Sequence, residues 1–383
     1  MSNPSSVIAK APDLSHLTIR SSTRIATLWS NYGSIDRVHL KAPSASVDKG
    51  MFMADSVIIK TVSPPQMRGT ADEGHLRKLL SYEVERWFYQ HLSHRLPATA
   101  KVAKYFPIEG ETDETLPLRI VLEDLAKEYP NPARGSLALN ETQAVLSWLA
   151  AFHGTFRGIQ EEDHVRERLV PPPLLHKEGD KKGVWTQGTY WYLDTRREEL
   201  ESVDESEYAW LLKWVEKVDS ALKDASEKYG TLLHGDVKGA NIVFAPTMAP
   251  PQQGSSSCAL YDLQYAGVGV VTRDLVYFLG TTAQSGLTRR IEQEKELLKH
   301  YHSDLLEAIA SRRHPSPQEP DRGVPLDDGE YGFERLWEHW ELAIVDWYRF
   351  MAGWGFWGND TWVERRAKEI VGRWEESGFP YVR

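Results

Sequence analysis

Residues Leu232 to Phe244 read L-L-H-G-D-V-K-G-A-N-I-V-F, and they constrain the fold more than any other stretch. Leu232 and Leu233 lead in, a polar loop follows, and Ile242, Val243 and Phe244 resume a β-branched and aromatic run. That composition predicts strand, loop, strand. A polar loop tied at both ends to buried strands holds its side chains at fixed separation. Asp236 and Asn241 lie five positions apart, so one loop can present a carboxylate and an amide to one substrate. Lys238 adds a cation between them. A second short apolar run, Cys258-Ala-Leu-Tyr-Asp262-Leu-Gln264, follows and again brings up an acid.

Several function classes are disfavoured by composition. The 55 acidic and 45 basic residues give a net charge of −10, which argues against nucleic acid or an anionic membrane surface as partner. The one cysteine, Cys258, can build neither a disulfide framework nor a zinc quartet, so a reducing compartment is expected. The first residues lack the charged head and apolar core of a signal peptide, and no run approaches the ~20 apolar residues that span a bilayer. A cytoplasmic protein is expected. At 383 residues the chain is long enough to split in two, because single cores stop growing near about 250–300 residues.

Taken in order, residues 1–22 show no clear pattern and predict a loosely ordered arm. Thr23–Trp29 and Ile35–Leu40 alternate around a Ser30–Ser34 turn and predict a hairpin. An insertion at 43–55 precedes Ser56-Val-Ile-Ile-Lys60, a β-branched strand ending in a cation. From 75 to 96, Leu76, Leu79, Leu80, Val84, Trp87, Phe88 and Leu92 recur at helical spacing. Arg119–Leu122 is an apolar strand running into Glu123 and Asp124. A helix is expected from Asn140, another over 205–229, and a low-complexity hairpin tip over 246–257. Gly267-x-Gly269-x-x-Thr272 tempts a dinucleotide fingerprint, but Thr stands where Gly or Ala is needed. The last two helices are expected over 288–311 and 333–356. Trp337, Trp340, Trp347 and Trp354 form one stripe on the second, expected to be core or a share of a substrate pocket. Asp327, Asp328, Glu330, Glu334 and Glu338 read as a solvated acidic face, the alternative being a cluster that attracts an amine-bearing acceptor.

H-G-D-x-x-x-x-N, followed by L-Y-D-L-Q and T-R-D-L-V-Y-F-L, resembles the aminoglycoside phosphotransferase and choline kinase superfamily, most closely its ecdysteroid kinase-like branch. The resemblance runs from about Arg24 to Trp374. It implies an α+β, two-lobed protein-kinase-like fold. A small β-rich N-lobe with one main helix (75–96) would occupy 23–126. A larger, mostly helical C-lobe would occupy 127–383, with the catalytic loop at 232–244, a metal-binding segment at 258–264 and a helical substrate region at 284–383.

The same resemblance implies roles for single residues. Asp236 corresponds to the catalytic base, and Asn241 and Asp262 to ligands of Mg²⁺. Lys238 would offset charge on the transferred group. Lys60 would hold the ATP phosphates, clamped by Glu85 from the E-x-x-F-Y helix or by its rival Glu83. Gly33 and Ser34 would lie in the phosphate turn, which has fewer glycines than a protein kinase loop. Backbone groups near Glu123 and Leu125 would bind adenine, and His234 and Asp274 would support the catalytic loop. The implied activity is ATP-dependent transfer of a phosphoryl group to a hydroxylated small molecule. A catalytically silent nucleotide-binding scaffold is the alternative. A protein kinase fits less well: Gly235 replaces the Arg of H-R-D, no A-P-E follows, and Asp274 comes only twelve residues after Asp262.

Overall fold

Alternation of apolar and polar residues through the first third of the chain builds an antiparallel sheet. The computed structural model describes residues 4–41, 54–65, 72–111, 117–177, 182–246, 257–313 and 331–381. A short helix α1 (Pro4–Ile8) leads into β1 (Thr18–Thr27), β2 (Gly33–Lys41) and β3 (Ser56–Val62). Helix α2 (Glu73–His91) follows, then β4 (Tyr105–Phe106) and β5 (Leu118–Glu123). The sheet order is β1-β2-β3-β5-β4. Lys60 sits in the central strand, opposite Ile35 of β2 and Ile120 of β5. Asp72 caps α2 by accepting from the His75 N–H at 2.7 Å, which satisfies one of the unpaired amides of the first turn.

Residues 4–22 are not a loose arm. Val7, Ile8, Ala11, Leu14 and Leu17 are buried against Val38, Leu40, Val57, Ile59 and Val121 on the outer face of the sheet. The Glu109 N–H donates to the Lys10 carbonyl at 2.8 Å, and Lys104 pairs with Asp13 at 2.9 Å. Successive side chains of a strand point to opposite faces, so the apolar runs of β3 and β5 give the sheet two apolar faces; α2 covers only the other, packing Leu80, Val84 and Phe88 into the core that holds Val62, Ile120 and Leu122. The N-terminal segment covers what α2 leaves bare. Its apolar positions, three residues apart from Ile8 to Leu17, were the legible sign.

The C-lobe is mostly helical, as expected of an α+β, two-lobed fold. Its helices are α3 (Leu139–Thr155), α4 (Asp163–Arg166), α5 (Arg197–Glu201), α6 (Glu205–Leu212), α7 (Val215–Tyr229), α8 (Thr272–Thr281), α9 (Ile291–Arg313), α10 (Phe333–Trp354) and α11 (Asp360–Ser377). The single helix expected over 205–229 is thus two. Along α10, Trp340 and Trp347 are fully buried, Trp337 is half-buried, and Trp354 is 54% exposed. The stripe is core until its last member, which emerges at the surface. The segments 43–53 and 247–256, with Asp327, Asp328 and Glu330, lie outside the described residues. No helix among the described residues is long and apolar enough to cross a membrane.

Five short strands, β6 (Asn131–Pro132), β7 (Thr231–Leu233), β8 (Ile242–Phe244), β9 (Cys258–Leu260) and β10 (Gly267–Gly269), position the site. β7 pairs antiparallel with β10, Leu233 opposite Gly267. β8 pairs antiparallel with β9, Ile242 opposite Leu260. Residues 234–241 and 261–266 therefore both run from one ladder to the other and must lie side by side. Two polar loops far apart in sequence are made neighbours by four three-residue strands.

Leu14 lies fully buried under the sheet. Leu14→Ala is expected to lower the unfolding free energy by about 2–5 kcal/mol, read as a lower urea midpoint; an unchanged midpoint would show that the segment does not cover the sheet in solution.

Candidate active site

The loop 234–241 is held from below by a fully buried carboxylate. Asp274, in the first turn of α8, accepts from the His234 N–H at 2.7 Å and the Gly235 N–H at 2.9 Å. His153 of α3 approaches the same carboxylate at 3.1 Å and Tyr301 at 2.7 Å, so it is a core residue. A buried carboxylate needs such partners. The Asp236 N–H faces His234 Nδ1 at 3.3 Å, and His234 Nε2 meets the Tyr261 carbonyl at 3.1 Å. This arrangement assigns the proton to Nε2 and keeps the ring neutral, and burial pushes its pKa down. Gly235 has φ +84, and a Cβ there would lie 2.1 Å from the Tyr265 carbonyl oxygen. The close approach of the two loops thus demands glycine where a protein kinase has Arg.

Asp236 is buried, 4% exposed, with both carboxylate oxygens engaged. Oδ2 accepts from Lys238 Nζ at 2.8 Å and Asn241 Nδ2 at 3.0 Å. Oδ1 accepts from the Tyr277 hydroxyl at 3.0 Å. Burial pushes the Asp236 pKa up to about 6, against the pull of Lys238 and Tyr277. Tyr277 itself is pushed well above its ordinary range by burial and by Asp236, so it remains a donor.

Asp262 follows β9 in the left-handed region, φ +68, a conformation that costs energy outside glycine. Oδ1 accepts from Lys60 at 3.1 Å and from Gln264 Nε2 at 2.5 Å, and Ser81 of α2 donates to Gln264 Oε1 at 3.2 Å. Burial would raise the Asp262 pKa, but Lys60, Gln264 and Lys238 outweigh it and hold the group ionised below the usual carboxylate value. Lys60 pairs with Glu85 at 2.5 Å, whereas Glu83 pairs with Lys182 at 2.8 Å. The open choice between the two glutamates is closed by this geometry. Burial works against the charge on Lys60, yet Asp262 and Glu85 outweigh it and keep the amine protonated. Two carboxylates share one ammonium, and the shortfall falls on Glu85, whose burial pushes it up to about 7.

The donor set fits a phosphate-bound Mg²⁺. Asn241 directs its amide nitrogen at Asp236, at 2.9 Å from the carbonyl and 3.0 Å from Oδ2, which turns Oδ1 away as an acceptor. Asp262 is ionised and, at 32% side-chain exposure, faces the cleft. Among the described residues no three His, Cys, Asp or Glu side chains group to cage an ion alone. One carboxylate and one amide suit an ion that takes its remaining ligands from phosphate and water.

Other expected residues have different reasons for being there. A Cβ on Gly33 (φ +148) would meet the Thr61 carbonyl oxygen at 1.9 Å, so close strand approach accounts for that glycine. The Ser34 hydroxyl donates to Asp36 at 2.7 Å. At the turn, the Asn31 N–H donates to Leu28 and the Tyr32 N–H to Trp29. The Glu123 carboxylate takes Lys101 and the Lys104 N–H, and its own N–H donates to the Lys104 carbonyl at 2.8 Å. Leu125 is buried at the lobe junction. Between Asp262 and Asp274 the chain has room only for β10 and the start of α8. Tyr277 was missed by sequence reasoning, although it follows Asp274 by three in a helix and so shares its face. Gln264 was read only as part of a motif.

A family model described as ecdysteroid kinase-like matches residues 30–313. No curated protein sequence matches the chain. Solved structures similar to it include a choline kinase from Cryptosporidium parvum (11% identity, 94% of this chain and 90% of that one, TM-score 0.48). An ethanolamine kinase from Plasmodium vivax (11% identity, 94% and 82%, TM-score 0.45) is another. A third is an amicoumacin kinase solved with AMP-PNP and Ca²⁺ (15% identity, 92% and 88%, TM-score 0.43). With well over half of its length matched by that one model, and the H-G-D loop and Asp262 inside the matched span, the chain belongs to the ecdysteroid kinase-like family.

Proposed function

We propose that the protein transfers the γ-phosphoryl group of ATP to a hydroxyl of a small molecule. The observation that carries this reading is the buried Asp236 carboxylate, raised toward neutrality and held beside Asn241 and Lys238 on the loop that faces Asp262. A base poised near the working pH is suited to accept a proton as a hydroxyl becomes a nucleophile. Lys60, kept charged by Glu85 and Asp262, would bind the α- and β-phosphates, and backbone groups near Glu123 and Leu125 would hold adenine. Mg²⁺, held by Asn241 and Asp262, would neutralise phosphate charge. The acceptor oxygen bonds to the γ-phosphorus as the bond to the β–γ bridging oxygen breaks. The proton of the hydroxyl passes to Asp236 Oδ1, and ADP leaves with the electron pair. Tyr277 donates to that same oxygen and orients the carboxylate. Lys238, paired with Asp236, would offset charge on the transferred group. The transition state is loose, so the protein acts mainly by position and charge.

A silent nucleotide-binding scaffold has one observation in its favour: the amides of Asn31 and Tyr32 at the hairpin turn are satisfied internally and are not offered to phosphate. Turnover with Mg²⁺ and ATP over a panel of hydroxylated metabolites, read by mass shift of the acceptor, separates the two. The transfer reading expects a phosphorylated product that Asp262→Ala abolishes. Nucleotide binding lost in Asp262→Ala, with no product in the parent, would favour the scaffold.

Asp236→Asn is expected to lower kcat by roughly 10²–10⁴-fold with the fold intact; turnover near that of the parent would remove Asp236 from the role. The base must be ionised, so kcat/KM is expected to fall as pH drops through about 6. Tyr277 and Lys238 both pull that pKa down. Tyr277→Phe should therefore move the acidic limb to higher pH, and a limb that stays put would show that Tyr277 does not orient the base.

A further inference from the structure

Beside the base lies an aromatic cage that the protein fills with its own cation. The Arg196 guanidinium stands over three rings, at 5.0 Å from the Trp354 centroid, 5.6 Å from Phe350 and 5.7 Å from Tyr190. All three distances lie within the ~6 Å over which a cation is drawn to a ring face. Arg196 is held there: Nε donates to the Tyr190 carbonyl at 2.8 Å and Nη1 to Glu199 at 3.0 Å, and the side chain is 3% exposed. One ring separates the cage from the site. Tyr190 packs edge-on against Tyr277 at 5.6 Å, and the Tyr277 hydroxyl rests on Asp236 at 3.0 Å. The outer wall is open, since Trp354 is half exposed.

Three electron-rich faces around one point are what a quaternary ammonium group requires. Here that point is taken by a guanidinium, which repels a second cation and denies it the ring faces. We propose that Arg196 is a specificity-determining residue: it occupies the cage next to Asp236, so that the phosphoryl acceptor is an alcohol carrying no ammonium group at this position. The proposal rests on Asp236 being the base that receives the acceptor hydroxyl. An uncharged acceptor would lie against Trp354 and Tyr190 with its hydroxyl at Asp236, while a choline-like acceptor would meet like charge.

The test uses tetramethylammonium chloride as probe on the full chain without nucleotide, with tryptophan fluorescence as readout and sodium chloride as ionic-strength control. Because no turnover is involved, its result stands whether or not phosphotransfer is found. The parent is expected to bind weakly or not at all. Arg196→Met, which removes the charge and leaves a flexible thioether that a cation can displace from the ring faces, should bind at least about tenfold more tightly. Arg196→Gln keeps a donor for the Tyr190 carbonyl and should show the same gain if the Met variant does not fold. Arg196→Lys should behave as the parent, and Trp354→Leu added to the vacated cage should erase the gain. Where turnover is measurable, the parent should favour 3,3-dimethylbutan-1-ol over choline, its charged isostere, and Arg196→Met should shift that ratio toward choline. Equal affinity of parent and Arg196→Gln for tetramethylammonium, or choline as the parent's preferred acceptor, would overturn the assignment.

Discussion

One buried ammonium ties the two lobes together. Lys60 belongs to the central strand of the sheet, Glu85 to the helix behind it, and Asp262 to a loop of the other lobe, yet all three meet within 2.5 and 3.1 Å. A cation removed from water is tolerated only with partners of this quality. With two carboxylates to one ammonium, the surplus negative charge is partly relieved by holding Glu85 near neutrality. The approach of the two lobes at Lys60 is therefore fixed by charge balance as much as by packing. The tie through Gln264 to Ser81 runs parallel to it and sets the angle of the Asp262 carboxylate. Both connections pass through α2, which makes that helix the mechanical link between sheet and loop.

The loop 234–241 depends on a second buried carboxylate used in the opposite sense. Asp274 accepts from the N–H groups of both His234 and Gly235 and so fixes the backbone that leads into Asp236. Helix α8 then serves the loop twice, because Tyr277 one turn later reaches the Asp236 carboxylate itself. A rigid helix thus sets both the path of the loop and the orientation of its buried carboxylate. Rigid supports of this kind keep reacting groups within a few tenths of an ångström of a productive geometry.

Much of the core of the site was legible because its chemistry is local. Asp236, Lys238 and Asn241 share one loop, and the apolar residues flanking that loop announce strands that hold it still. The second acid, Asp262, was legible by the same flanking pattern. The N-terminal segment was misread because its apolar residues make sense only once the sheet has an outer face to cover. Gly33 and Ser34 were read through a phosphate-loop analogy, while the close approach of Gly33 to Thr61 comes from strand pairing that no local pattern reveals, and Ser34 bonds Asp36 two residues along its own strand.

By itself the sequence determined which residue types stand on each loop and, for most segments, whether they are strand or helix, since periodicity and loop composition are properties of neighbouring residues. It also determined the family, through the order of those loops along the chain. Tertiary structure alone decided that Lys60 takes Glu85 and not Glu83, that Tyr277 joins Asp236, and that Arg196 fills the cage made by Tyr190, Phe350 and Trp354. The physical reason is the same in each case. Which charge meets which partner depends on distances set by strand register and helix packing between segments tens to hundreds of residues apart, and desolvation makes those few ångströms decisive.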